Sequence, residues 1–410
     1  VAVLKYPRAS LFLHPIAVSS IAWCGVAFLY SLHLSGLLMF KTSDAIRVAL
    51  LIVLPVFFVS VAYKLLHRGS TSSTAPIALH REPPLALIER RLRHGIWLWA
   101  GLTAVETGVS GGVPLLWLLT GSSKSNFDYG ISSVHGMVNA LLLAAAVTSL
   151  ALYLYTDNRR HLWFPIFAVV WSMILVSRGT LFVLLVEYAV VYLRLRRIKL
   201  KAAFRLCVIT LMALLLFGFI GDVRSGAEAF RDLAQPTDGF PDWAPSGLLW
   251  AYIYITTPIN NLLLTVHTLR PTYNLLLPDT AATLFPTVLR NVIYGKQGAG
   301  EAISGALETQ ALNVSTAYVG PYQDMGYFGI IGFSIIAALL CEFYWHRCGL
   351  WDIFAFSVFT QALALSLFYN LLFSLPILGQ LIWFYYFTRD PKAGASMSPA
   401  ARNLSLPFIR

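Results

Sequence analysis

Ser177-Arg178-Gly179 interrupts an apolar stretch that runs from Leu162 to Leu193. An ionisable side chain at membrane depth costs about 2.5–3.5 kcal/mol even on lenient insertion scales, so it normally has a task. As one helix the 32 residues would extend about 48 Å, well beyond a hydrocarbon core of about 30 Å. Two short helices meeting at Gly179 fit better, and they place Arg178 at a membrane face and inside the protein. There its guanidinium offers a planar fork of donors to a phosphate or carboxylate. The competing reading is an arginine that snorkels from a helix end.

Arg224 lies in Gly221-Asp222-Val223-Arg224-Ser225-Gly226, where a later apolar segment ends. Two arginines converging on one external cavity would clamp a diphosphate, and Arg270 and Arg290, with Tyr273 and Lys296 nearby, could add to it. The alternative for Arg224 is a hydrated loop residue paired with Asp222. Glu106 precedes Ser110-Gly111-Gly112-Val113-Pro114, which should break its helix before the segment ends. A broken helix at that depth is tolerated where it is buried or lines a cavity. His135 and Asn139 are four apart and share a helix face, where they either glue helices together or serve a site.

The run Asn313-Val314-Ser315-Thr316-Ala317-Tyr318 continues to Pro321-Tyr322-Gln323-Asp324-Met325-Gly326 and Gly329. Asp324 either complements a helix dipole or acts as a general base. Four cysteines, Cys24, Cys207, Cys341 and Cys348, lack metal-ligand spacing and read as free thiols.

These groups need a membrane scaffold to position them. The chain has 410 residues, of which 57% are hydrophobic and 12% charged, with a mean hydropathy of +0.68. Soluble domains carry about 25% charge, so the composition predicts an all-α polytopic membrane protein. The expected spans are Leu11–Leu32, Ile46–Leu65, Ile96–Leu116, Ile131–Tyr155, Leu162–Ser177, Thr180–Leu193, Ala203–Ile220, Tyr322–Glu342, Ile353–Leu372 and Leu375–Thr388. Ten crossings, within a range of eight to twelve, put both termini on one side.

Basic residues sort with that scheme: Arg90, Arg91, Arg93, Arg159, Arg160, Arg194, Arg196 and Arg197 share one side, predicted cytoplasmic. Residues 221–320 hold eight Asp or Glu against five Lys or Arg, as an external segment should. The net charge of +11 therefore reflects cytoplasmic loops and implies no nucleic-acid partner. The predicted organisation is helices one to seven over 1–220 with a cytoplasmic loop at 66–95, then an external, partly re-entrant helical domain over 221–321. Helices eight to ten follow over 322–388, with a cytoplasmic tail at 389–410. Gly247–His267 is apolar enough to cross, but Thr256, Thr257, Pro258, Asn260 and Asn261 suit a re-entrant or interfacial helix better. Leu85–Trp99 mixes Arg90, Arg91 and Arg93 with apolar residues and could begin as an interfacial helix.

Ser110-Gly111-Gly112-Val113-Pro114-Leu115, Ser177-Arg178-Gly179 opening a short helix, Gly221–Gly226, and the Asn313–Gly329 run into a late span occur in this order along most of the chain. In this the sequence resembles the bacterial O-antigen (oligosaccharide repeat-unit) polymerases of the Wzy type, within a superfamily that includes the O-antigen ligases. The resemblance implies an integral-membrane glycosyltransferase of the GT-C type in the inner membrane, working on its periplasmic face. Donor and acceptor would be oligosaccharides on undecaprenyl diphosphate, with membrane lipid around them and room for a chain-length regulator. No metal, nucleotide sugar or other cofactor would be required. Arg178 and Arg224 would stabilise the leaving diphosphate, with Asp324 as base and Glu301, His135 and Glu106 as the other candidates for that role. Arg270, Arg290, Tyr273, Glu106, His135, Asn313, Tyr322 and Glu301 would line the substrate site. A ligase, for which His267 would be the external histidine, and a lipid-oligosaccharide flippase are the competing readings.

Overall fold

The computed structural model describes residues 12–67, 84–196 and 227–389, apart from 242, 245, 296–304, 310–311 and 348. Among these the regular elements are all helices, with one isolated β-bridge between Ser35 and Pro236. The helices are α1 (Pro15–Ser31), α2 (Thr42–Leu66), α3 (Leu85–Ser110), α4 (Pro114–Leu119), α5 (Val134–Thr156), α6 (Trp163–Ile174) and α7 (Arg178–Leu195). They continue with α8 (Ala227–Ala234), α9 (Ser246–Thr268), the single turn α10 (Pro278–Ala281), α11 (Thr287–Tyr294), α12 (Val319–Trp345), α13 (Leu350–Ala364) and α14 (Leu375–Thr388). Five segments are long and apolar enough to cross a membrane: Thr42–Leu66, Leu85–Leu119, Val134–Thr156, Val319–Trp345 and Leu350–Leu367. Leu50, Leu54, Phe57 and Phe58 leave one side of α2 apolar and exposed, as a lipid-facing surface requires. The protein is membrane-embedded and helical.

Two apolar cores lie side by side. α3, α5, α6, α7 and α14 surround one; α1, α2, α9 and α12 build the other, and α13 contributes to both. α5 carries no charged residue and holds Ala144, Ala145 and Ala146 at its middle, so neighbouring backbones can approach closely. Gly379 of α14 uses that closeness, since a Cβ there would stand 2.8 Å from the Met137 sulfur and 3.0 Å from the Ala140 Cβ.

The helix breaks have identifiable causes. α3 ends at Gly111 in the left-handed region (φ 73°), Gly112 follows at φ 133°, and Pro114 opens α4. Lys124 Nζ donates to the freed Ser110 carbonyl at 2.7 Å. α6 and α7 form an antiparallel hairpin, with Tyr188 Oη donating to the Pro165 carbonyl at 3.1 Å. Their junction is Leu175–Ser177 rather than Gly179, because Val176 adopts φ 53°. A β-branched residue there is strained by about 1–3 kcal/mol and persists only where its surroundings over-determine it. α3 is continuous from Leu85, so the basic cluster Arg90–Arg93 belongs to a spanning helix and the preceding connection ends before residue 85.

α9 meets the short α1–α2 connection at three points. Tyr252 Oη accepts from Leu34 N at 2.9 Å, Asn260 Oδ1 from Met39 N at 3.1 Å, and the His267 ring stacks on Phe40 at 4.9 Å. Contacts spread along a 23-residue helix that fall on one turn mean that α9 lies across the end of the α1–α2 hairpin. Its buried Thr256, Thr257, Asn260 and Asn261 face protein, not lipid. Asn261 spends its amide on the Leu312 and Val314 carbonyls, at 3.2 and 2.9 Å, and thereby fixes the approach to α12.

Candidate active site

The C-terminal half of α3 supplies the first element. Glu106 is 1% exposed, and its Oε1 accepts from Ile131 N at 3.3 Å while its Oε2 meets His135 Nδ1 at 3.1 Å. One turn further, Ser110 Oγ accepts from Gly130 N at 2.9 Å, and Thr107 Oγ1 and Tyr129 Oη lie 2.9 Å apart. Residues 129–131 are thereby drawn over the His135 ring. Only glycine fits at 130: its φ is 90°, and a Cβ would stand 2.7–2.8 Å from ring atoms of His135. Burial pushes the Tyr129 phenol upward, and the Glu106 carboxylate adds to the shift, against the Thr107 hydrogen bond.

α5 carries the polar line inward. Asn139, one turn after His135, donates to Thr180 Oγ1 at 3.2 Å, and Thr180 Oγ1 lies 2.8 Å from Ser177 Oγ. This is the opening turn of α7, whose first residue is Arg178. Arg178 is exposed rather than inside the protein. Its Nη1 donates to Tyr254 Oη of α9 at 2.9 Å, with the guanidinium 5.8 Å from that ring's centre. Tyr369 closes the group: a Cβ on Gly179 would touch its ring at 3.9 Å. Burial raises the Tyr369 phenol, and the Arg178 charge opposes the shift. Three polar groups thus follow one another, Glu106 with His135, Asn139 with Thr180 and Ser177, and Arg178 with Tyr254, and a water-sized recess of about 10 Å³ lies beside Glu106, His135 and Asn139.

Asp324 has other work. It is 0% exposed, with Oδ1 accepting from Asp279 N at 3.1 Å and Oδ2 from Thr280 N at 2.7 Å. It therefore caps the first amides of α10. Two residues on, α12 kinks at Gly326 (φ 61°), and Thr272 N and Asn274 N donate to the freed Gln323 and Asp324 carbonyls at 2.8 and 3.0 Å. Gly320 and Gly329 are needed for contact, since their Cβ atoms would fall 2.4 Å from the Asp279 carbonyl oxygen and 1.8 Å from that of Pro321. Tyr322 is buried and donates to the Val266 carbonyl at 3.0 Å. Asp279 is pushed up to about 6 by burial and by the Asp324 carboxylate.

The structure joins Glu106 and His135 to the turn bearing Arg178, and it sets Tyr322 and Asp324 into the packing of α10 on α12. Arg270, Tyr273 and Asn313 are exposed on connecting segments. Arg290 lies on α11, its Nε buried without a hydrogen-bond partner among the described residues. α11 is tied to the start of α5, where Ser133 Oγ accepts from Thr287 N at 2.8 Å. Arg224 and Glu301 lie outside the described residues. Tyr129, Thr180, Tyr369 and Asp279 escape a sequence reading, although Tyr129-Gly130 and Ser177-Arg178-Gly179-Thr180 each carry a turn signal beside a polar group. No family model, curated protein or solved structure matches the chain.

Proposed function

We propose that this protein is a membrane glycosyltransferase that polymerises oligosaccharide repeat units carried on undecaprenyl diphosphate. On this reading it has about ten crossings in a GT-C-like arrangement, sits in a bacterial inner membrane with both termini cytoplasmic, and works on the periplasmic face. The observation that carries the reading is the position of Arg178 between Ser177 and Thr180 in the opening turn of α7, which Asn139 holds one turn of α5 away from the Glu106–His135 pair. Donor glycan would lose its diphosphate as negative charge builds on the leaving oxygen. Arg178 is accessible, permanently charged and set at a helix N-terminus, three properties that favour an anion. Arg224 is assigned to the same diphosphate, because two guanidiniums would share the developing charge.

The test is incubation of the purified protein with a synthetic lipid-linked repeat unit. A ladder of products is expected, and Arg178→Ala and Arg224→Ala should each abolish it while leaving thermal unfolding unchanged. Folded variants that still give a full ladder would overturn the arginine roles. A folded wild type that gives no ladder would overturn the polymerase.

A further inference from the structure

A carboxylate can only accept, so the 3.1 Å contact to Glu106 places the imidazole hydrogen of neutral His135 on Nδ1. Its Nε2 then carries the lone pair. That nitrogen has no partner among the described residues, and the side chain is 36% exposed. Glu106 fixes the ring in this tautomer while its other oxygen is held by the Ile131 amide. Gly130 leaves the ring room, and Tyr129 meets it edge-on at 5.4 Å. A buried carboxylate, an oriented imidazole and one free nitrogen form the arrangement by which a histidine takes a proton from a hydroxyl.

The surroundings indicate which hydroxyl. Trp99, Trp171 and Tyr129 wall the pocket, and Asn139 adds an amide. Aromatic faces beside a few polar groups suit a sugar ring, apolar on its faces and rich in hydroxyls at its edge. The recess between them has a volume of about 10 Å³, the size of a single water molecule, so a sugar would meet His135 at its rim rather than enter it. Asn139 leads from this pocket to Thr180, and Thr180 to the turn bearing Arg178.

We infer that His135 Nε2 is the catalytic base that takes the proton of the acceptor hydroxyl, with Glu106 as its positioning residue; the inference rests on the polymerase reading. The acceptor oxygen forms its bond to the donor's anomeric carbon as the bond from that carbon to the diphosphate breaks. The electron pair leaves with the diphosphate, and the hydroxyl proton passes to Nε2. Asp324 is not needed for this step, because both of its oxygens serve backbone amides. The titratable groups facing His135 are Glu106 from α3 and Tyr129 from the preceding loop. α6 and its C-cap face it with Trp171 and Leu175, and α5 with Val138, Asn139 and Leu142, none of them charged.

The experiment is single-addition kinetics with a lipid-linked donor and a lipid-linked acceptor, on wild type, His135→Gln and Glu106→Gln. His135→Gln should fall about 100- to 10,000-fold in kcat, keep its donor KM and recover in part with added imidazole. Glu106→Gln can present an amide N–H to Nδ1 and move the ring hydrogen to Nε2, so it should lose kcat with the fold intact. Near-normal kcat in either folded variant, or a His135→Gln loss that imidazole does not relieve, would overturn the inference. Should His135→Gln fail to fold, Glu106→Gln decides alone by the same criterion. No addition by folded wild type would instead sink the polymerase reading, so the two failures differ.

Discussion

Glu106 and Asp324 are 1% and 0% exposed, and each sits on a long apolar helix, yet they spend their oxygens differently. Asp324 gives both to main-chain amides, Asp279 N and Thr280 N. Its oxygens are thereby committed to the opening of α10. Glu106 gives one oxygen to the Ile131 amide and the other to an imidazole whose far nitrogen is open. The same functional group thus closes a piece of scaffold in one place and orients a reactive ring in the other. Burial and charge alone do not separate the cases; what the second partner can still do separates them.

The comparison can be attacked first where the effect is largest. Asp324→Ala strands two buried amides, each costing about 1–3 kcal/mol, and should lower thermal stability or prevent accumulation of folded protein. Asp324→Asn keeps one acceptor and should lie between. Unfolding midpoints of both variants check this, and an Asp324→Ala protein with wild-type stability and no activity would turn Asp324 from scaffold into machinery. Gly130→Ala attacks the other side. Its Cβ would stand within 2.8 Å of the His135 ring at a backbone φ of 90°. It should displace the ring and remove most transfer activity, while costing about 1–2 kcal/mol of stability, the scale of left-handed strain. Ladder assay and calorimetry on one preparation measure both.

Helix positions were largely legible because apolar length and breakers act locally. Gly111, Gly112 and Pro114 end α3 and begin α4 where their backbone preferences require, and α14 is a helix with the expected bounds, Leu375–Thr388, although at 14 residues it is not among the five segments long enough to cross. The α6–α7 turn was legible in kind and displaced in place, because Val176 and not Gly179 takes the left-handed conformation. That choice is tertiary. The burial of Arg178 was misjudged for a related reason: an interruption in an apolar run marks a helix end, and whether that end is covered depends on α9 and Tyr369, far away in sequence. The pairing of Glu106 with His135 joins positions 29 apart. Nothing in their spacing distinguishes it from the Asp324 cap, whose partners lie 44 and 45 residues away.

The smallest predicted effect uses Asp279, the neighbour whose amide Asp324 holds. Burial and the Asp324 charge push its carboxyl up to about 6, whereas an aspartate in the unfolded chain titrates near about 3.9. Between these values the folded protein binds more protons than the unfolded one, so stability falls as pH rises through the window, and the loss is complete above it. Asp279→Asn cannot ionise, and its amide can donate to Asp324. The variant should match wild type near pH 4 and exceed it at pH 7.5, by on the order of 1 kcal/mol once partial solvent exposure is allowed for. Unfolding followed at the two pH values decides it: an equal gain at both would assign the effect to packing, and a gain confined to pH 4 would reverse the sign and remove the strained carboxylate pair from the account of the α10 cap.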